Sequence, residues 1–295
     1  MKNIVFFNHW HYGDLFSTRG LVTDIQRQLP NMRYGYAHSV SPLATRDLVT
    51  FNLTPEKNQQ ILSGIDQRTR FAQSDDTIFI NTWVGAYEGM WEGTHPPYTA
   101  HHNIFAKMYE LLNHHFNLNL QIQPGVWDYI PEIDYSKIDT SRVDQLLTEV
   151  SGRIYLISNN QVMSLQSSMG FMEHTIEILA RQYPNDTFIA THSFETNLSN
   201  IKFTYEIFRM SNDLLEISYL SKFCNTIIGK NSSPSTYTNT RSNLLDPSKH
   251  FVCFSHNEND TLYYGLDCTS QSTFSNTTDQ IEAAHIINQV IKRNQ

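Results

Sequence analysis

The chain has 295 residues, of which 40% are hydrophobic and 12% aromatic, and it carries a formal net charge of −8. This composition excludes a disordered chain and supplies ample material for a packed core. The negative charge argues against nucleic acid held on a broad basic face. Three widely spaced cysteines favour reduced thiols over a disulfide framework or a zinc site. Without a long apolar run we expect no transmembrane segment, and we predict a cytoplasmic protein, either free or peripheral to a membrane.

The pattern of apolar residues predicts strands that alternate with helices along the whole chain. In the first half, the predicted strands are 4–8, 33–37, 77–81 and a weaker one at 48–53, and the predicted helices are 17–29, 100–116 and 141–150. In the second half, the predicted strands are 153–158, 187–191, 226–229 and 251–254, and the predicted helices are 169–183, 213–223, 232–242 and 278–293. Such alternation is typical of βαβ units and parallel sheets.

Residues 122–138 contain two prolines and no sustained periodicity, so we interpret them as a connector. We therefore predict an α/β protein with two Rossmann-like domains, residues 1–150 and 151–295, that face each other across a cleft. Clefts between domains are favoured places for ligands.

The loop after the first predicted strand is the first candidate site, because open α/β sheets bind ligands at the carboxyl ends of their strands. Its carboxylate, Asp14, is a candidate general base, with His11 as the rival. The alternative is that Asp14 only caps the helix that follows. No third ligand is suitably spaced from the His-x-His pair, and the chain has no Asp-x-Asp pattern, so we predict no metal site. The loop residues expected to contact a substrate are His9, Trp10, Tyr12 and Gly13.

A second loop with aromatic residues follows the predicted strand 77–81. Its aromatic rings offer flat apolar faces that suit stacking on sugars, and its polar side chains suit hydrogen bonds to hydroxyl groups. The rings in question are Trp83, Tyr87 and Trp91, and the polar side chains are Glu88, Glu92 and His95. The alternative is an ordinary loop whose aromatic residues pack on their own domain.

In the second half, a small polar loop follows the predicted strand 226–229. Ser232 or Ser233 suits the N-cap of the next helix, and Pro234 suits its first turn. Free backbone N–H groups, the helix dipole and nearby Lys230 and Asn231 would then bind a diphosphate. The alternative is a capped helix without a ligand. Further contacts to the same ligand are expected from Ser158, Asn159, Asn160, His192, Ser193 and Glu216.

Together, these segments resemble the family 9 glycosyltransferases, the heptosyltransferase-like group of GT-B enzymes. The resemblance rests on Gly13-Asp14 followed by Ser17-Thr18 and Leu29-Pro30, and on Leu214-Leu215-Glu216 followed by residues 227–234. It implies an acceptor bound by the first domain, a nucleotide sugar bound by the second, and Asp14 as the general base. The family usually has Asp-Thr-Gly where this chain has Asn231-Ser232-Ser233, which leaves the donor open.

The sequence therefore predicts a metal-independent, inverting glycosyltransferase of hexosyl or heptosyl type. Its donor would be a nucleotide-diphosphate sugar acting as co-substrate, its acceptor a hydroxyl group of a glycan or glycolipid, and it would need no cofactor. Inversion needs a base at the acceptor hydroxyl and N–H or cationic groups at the departing diphosphate. The alternatives are a nucleotide-sugar epimerase or hydrolase on the same fold, or a non-catalytic carbohydrate- or nucleotide-binding protein. The oligomeric state stays open.

Overall fold

The computed structural model describes residues 2–87, 98–150, 152–162, 167, 169–209, 212–261 and 265–294. The chain divides into two compact units, Met1–Lys137 (unit 1) and Ile138–Gln295 (unit 2). Each unit is built on its own sheet with helices attached. Among the helices of the described ranges, none is long and apolar enough to cross a bilayer.

Unit 1 contains a sheet of four strands within its described residues, in the order β2-β1-β4-β3. Its strands and helices are β1 (Asn3–Asn8), α1 (Tyr12–Ser17), α2 (Arg19–Gln28), β2 (Arg33–His38), α3 (Pro55–Gly64), β3 (Phe71–Ser74), β4 (Thr77–Asn81) and α4 (Tyr98–Phe116). Strand β1 is parallel to both β2 and β4, and β3 is an antiparallel edge strand. The carboxyl ends of β1, β2 and β4 therefore meet at one edge, which positions the loops that follow them.

Unit 1 differs from the sequence prediction in several details, and its edge strand β3 was not predicted. The predicted helix 17–29 is two helices, because the backbone leaves helical geometry at Thr18. The predicted strand 48–53 is an irregular segment, and the N–H groups of Thr50 and Phe51 both donate to the one carbonyl of Tyr34 instead of forming a strand ladder. Helix α3 was missed because it buries only Ile61 and so lacks a clear apolar periodicity.

Unit 2 contains, in its described residues, a six-stranded parallel sheet in the order β10-β9-β8-β5-β6-β7. Its strands are β5 (Ile154–Ser158), β6 (Thr187–Ala190), β7 (Ile201–Phe203), β8 (Thr226–Lys230), β9 (His250–Phe254) and β10 (Gln271–Ser275). Its helices are α5 (Ser141–Glu149), α6 (Glu173–Gln182), α7 (Thr204–Phe208), α8 (Leu214–Ser221), α9 (Ser233–Thr236), α10 (Arg241–Leu244) and α11 (Gln280–Arg293). Buried residues of α6 and α11 form one core cluster with the sheet.

The sequence placed α5 in the first domain, whereas in the structure it packs against α7 and α8 of unit 2. Strands β7 and β10 were not predicted. Strand β7 has only three residues and β10 has no buried residue, so neither carries a clear apolar signal. The helix predicted over 232–242 is two separate short helices, α9 and α10.

Candidate functional site

Two neighbouring strands of unit 1 end in the same way. The side chain of Asn8, at the end of β1, accepts a hydrogen bond from the backbone N–H of Trp10 at 2.8 Å. Asn81, at the end of β4, does the same for Trp83 at 2.9 Å. The two indole rings then pack together with their centroids 4.7 Å apart. Sequence reasoning missed both asparagines, although the repeated Asn-x-Trp pattern was a usable signal.

Asp14 lies in the first turn of α1, beside this tryptophan pair. Burial raises the pKa of its carboxyl group, against the opposing effects of the His11 imidazole, the backbone N–H groups of Asp14 and His11, and the Trp83 side chain. A carboxylate with a raised pKa is better matched to taking a proton near neutral pH. His11 is the N-cap residue of α1, and the Asp14 carboxylate, three residues later, accepts a hydrogen bond from its backbone N–H. Capping and proton transfer are therefore compatible roles for Asp14.

The rest of this loop is divided between exposed and anchored side chains. His11 is exposed, whereas Trp10, Tyr12 and Gly13 are half-buried. The Nε2 of His9 donates to the carbonyl of Leu62 in α3 at 2.9 Å, so this nitrogen serves the fold and not a substrate. His9 therefore has an anchoring role in the fold, and its substrate contact stays a prediction.

The aromatic loop after β4 gives a mixed outcome. Trp83 is half-buried at the site, next to Trp10. Tyr87 is fully buried, and its hydroxyl donates to the carbonyl of Asn81 at 3.0 Å. The predicted sugar contact of Tyr87 is therefore wrong, because the ring belongs to the core. The other residues singled out in this loop lie outside the described residues: Trp91, Glu88, Glu92 and His95.

In unit 2, hydrogen bonds join the loops at the carboxyl edge of the sheet. The hydroxyl groups of Ser158 and Ser232 are 2.6 Å apart. The Asn159 side chain donates to the carbonyl of His192 at 2.9 Å and accepts from its N–H at 2.8 Å. Thr191 donates to Asn160. The structure thus brings together the polar residues that follow β5, β6 and β8, while His192 and Ser193 keep exposed side chains.

Lys230 does not have the role that the sequence suggested. Its side chain is 1% exposed, and its ammonium group donates to the carbonyl of Gly170 at 2.7 Å. Burial lowers the pKa of Lys230, and Glu173 acts in the opposite direction. The direct phosphate contact predicted for this side chain is therefore wrong in this conformation.

The helix after Lys230 is also shorter than expected. Helix α9 has four residues, and Ser232 is its N-cap without a side-chain capping bond, because its hydroxyl meets Ser158. A single turn sums few peptide dipoles, so the attraction for an anion is weaker than predicted. Gly229 serves packing, since a Cβ atom there would lie 2.4 Å from the Ser235 hydroxyl. The Asn231 amide donates to the carbonyl of Asp260, and Ser233 stays half-buried.

Glu216 lies in the first turn of α8 and is 4% exposed. The neighbouring Asp213 has a raised pKa, caused mainly by burial and in part by the Glu216 charge. A buried carboxyl group and a half-buried one thus lie close together at the start of α8. Within the described residues, no three His, Cys, Asp or Glu side chains form a group that fits a metal ion.

No protein-family model and no curated protein matches the sequence. Solved structures do match, over almost all of the chain. The Escherichia coli ADP-heptose LPS heptosyltransferase II has a TM-score of 0.53 at 10% identity, covering 99% of this chain and 99% of that chain. A glycosyl transferase family 9 protein from Veillonella parvula has a TM-score of 0.51 at 10% identity, covering 97% and 91%.

A third similar structure is the iron-containing dodecameric heptosyltransferase TibC of enterotoxigenic E. coli, in complex with ADP-D-β-D-heptose. It has a TM-score of 0.50 at 11% identity and covers 100% of this chain and 77% of that chain. Similarity at such low identity concerns the fold. The predicted α/β fold class with two domains is confirmed, and these solved glycosyltransferase structures have a similar fold.

Proposed function

We propose that the protein is a glycosyltransferase that moves a hexosyl or heptosyl group from a nucleotide-diphosphate sugar to a hydroxyl group of a glycan or glycolipid. The observation that carries the proposal is Asp14, a half-buried carboxyl with a raised pKa at the carboxyl edge of the unit 1 sheet. Its support comes from a fold whose solved examples include heptosyltransferases. Unit 1 would bind the acceptor and unit 2 the donor.

In the proposed reaction, Asp14 takes the proton of the acceptor hydroxyl while that oxygen attacks the anomeric carbon of the donor. The bond from this carbon to the diphosphate oxygen breaks on the opposite side, and its electron pair leaves with the diphosphate, which inverts the anomeric centre. Backbone N–H and hydroxyl groups of residues 231–233 would bind the leaving group, in a step that we propose needs no metal ion. The packed rings of Trp10 and Trp83 offer a surface for an acceptor sugar.

The first test is a thermal-shift screen with ADP, UDP, GDP and the corresponding nucleotide sugars, each with and without EDTA. A ligand that binds only the folded state raises the melting temperature. We expect a shift with at least one nucleotide that persists in EDTA. A shift that EDTA abolishes would remove the metal-free mechanism, and no shift with any nucleotide would remove the donor assignment.

The second test is Asp14→Asn, assayed for sugar transfer with the donor found in the screen. Loss of the base should lower the rate by about 10²–10⁴-fold while nucleotide binding is retained. The matched control is Asp75→Asn, because Asp75 is exposed and has φ 48°, a geometry that asparagine tolerates well. In the unaltered protein, the rate should fall as pH drops through the raised pKa of Asp14, since the protonated carboxyl cannot accept a proton.

Product analysis separates this proposal from its alternatives. Turnover of the donor without any acceptor would indicate an epimerase or a hydrolase. Binding without turnover against a panel of glycan and glycolipid acceptors would indicate a non-catalytic carbohydrate or nucleotide binder. Undiminished transfer by Asp14→Asn would move the base to another residue, with His11 as the next candidate.

A further inference from the structure

His38 is a buried residue at the end of β2, where its backbone lies beside Asn8 of β1. Its side chain and backbone together are 1% exposed. The backbone of His38 is held by Asn58 of α3 through two hydrogen bonds, one to the N–H at 2.9 Å and one to the carbonyl at 3.1 Å. The position of the imidazole is therefore set by two elements of the fold.

The ring of His38 connects two loops. Its Nδ1 accepts hydrogen bonds from the backbone N–H groups of Val40 and Ser41, at 3.3 Å each. An accepting nitrogen carries no proton, so the neutral ring is protonated at Nε2. The pKa of His38 is lowered to about 4, mainly by burial, and the nearby titratable groups His9 and His11 act in the same direction.

The other loop is the one that leads to Asp14. The ring of Tyr12 stacks on the His38 ring with centroids 5.1 Å apart. Next to it, the hydroxyl of Ser39 donates to the carbonyl of His9 at 2.9 Å. Residues 38 and 39 thus hold the loop at both ends, His9 on one side and Tyr12 on the other. Asp14 is two residues beyond Tyr12, in the same helix α1.

We infer that His38 is a positioning residue, which holds the loop 9–12 against residues 39–41 and so places Asp14 for the reaction. The ring stack fixes the start of α1, and the two N–H donors fix the ring. A side chain that supplies only one of these two interactions should hold the loop incompletely. This inference rests on the proposed function only for the role of Asp14 as base; the loop contacts themselves are independent of it.

Two substitutions separate the interactions. His38→Phe keeps a ring for Tyr12 but removes the acceptor for Val40 and Ser41. His38→Asn keeps an acceptor oxygen near the Nδ1 position but removes the ring. The control is His250→Phe, because His250 is also buried, at 4% exposure, and lies on β9 of unit 2.

The measurement is hydrogen exchange of the full-length chain, followed by mass spectrometry. In His38→Phe we expect hydrogen exchange to be faster in residues 39–41 and in residues 9–14. The increase in residues 39–41 should be about tenfold, the effect of losing one hydrogen bond of ordinary strength. In His38→Asn we expect faster exchange in 9–14 with 39–41 still protected. The control should leave both segments unchanged. Unchanged exchange of 9–14 in both His38 variants would overturn the inference.

A spectroscopic test covers the case in which a variant fails to fold. In the ¹⁵N spectrum of histidine-labelled, unaltered protein, the assigned His38 ring should be protonated at Nε2 and stay neutral until the pH approaches 4. The buried His101 ring has its pKa lowered to about 4 as well, so the two signals must be assigned separately. A His38 signal protonated at Nδ1, or one that titrates near 6.5, would contradict the arrangement. Once a donor is known, His38→Phe should lower kcat with little change in KM for the donor. If Asp14→Asn keeps normal activity while residues 9–14 exchange faster in the His38 variants, Asp14 is not the base, and His38 keeps only its role of holding the loop.

Discussion

A buried ion pair in unit 1 leads to a quantitative prediction. Arg19 of α2 pairs with Asp47, and the two side chains are 0% and 1% exposed. The guanidinium also donates to the carbonyl of Ala44 at 3.1 Å, so it ties α2 to the segment after β2. Because α2 follows α1 directly, this pair supports the helix that carries Asp14.

Removal of one partner leaves the other charge buried without its counterion, which costs about 3–5 kcal/mol in comparable proteins. We therefore expect Asp47→Leu to lower the free energy of unfolding of unit 1 by about 3–5 kcal/mol, and Arg19→Met to have a similar effect. The double variant Arg19→Met/Asp47→Leu buries no charge, so it should lie within about 1 kcal/mol of the unaltered protein. The two single effects should thus be strongly non-additive.

The assay is urea unfolding followed by tryptophan fluorescence. All four tryptophans, at positions 10, 83, 91 and 127, lie in unit 1, so the signal reports on this unit. The control is Glu110→Gln, which breaks a surface pair between side chains that are 43% and 67% exposed and should cost at most about 1 kcal/mol. A cost below about 1 kcal/mol for Asp47→Leu, or simple addition in the double variant, would refute the reasoning.

Three further predictions concern packing, hydrogen bonding and pH. Gly20→Ala should destabilise unit 1 by about 3 kcal/mol, because the new Cβ would lie 1.9 Å from the Tyr129 carbonyl oxygen. The control is Gly64→Ala, where a Cβ would meet nothing within 4 Å, so this change should be neutral or stabilise by up to about 1 kcal/mol. Urea unfolding compares the two variants. Lys249 donates to the backbone carbonyls of Ser221, Lys222 and Cys224, at and just after the end of α8, at 2.6–2.9 Å. Lys249→Met should therefore lower the free energy of unfolding by about 3 kcal/mol, measured by circular dichroism, whereas exposed Lys292→Met should leave it unchanged. Burial lowers the pKa of Lys249 in the folded state below its usual 10.5. Between the folded and the unfolded pKa the unfolded state binds more protons, so the free energy of unfolding should rise with pH in this range. Lys249→Met should not show this rise.

Much of the fold could be predicted because apolar residues repeat locally. Strand β4 has the predicted bounds, and β1, β2 and β8 differ by a residue at an end. Their alternation with helices was enough to indicate parallel sheets. Two of the missed elements are ones in which burial is slight: α3 buries one residue and β10 none. Where packing is weak, the sequence carries no period to detect.

The sequence by itself determined which loops follow the strands, and therefore which polar residues gather at each sheet edge, with Asp14 among them. Only the tertiary structure decided what each side chain does there. The partner of Lys230 is Gly170, 60 residues away in sequence, and the partner of Ser158 is Ser232, 74 residues away. His38 and Tyr12 likewise meet only because β1 and β2 lie side by side. The local periodicity of apolar residues indicates which residues of a segment are buried. The hydrogen-bond partners of a side chain depend on contacts between segments that are distant in sequence.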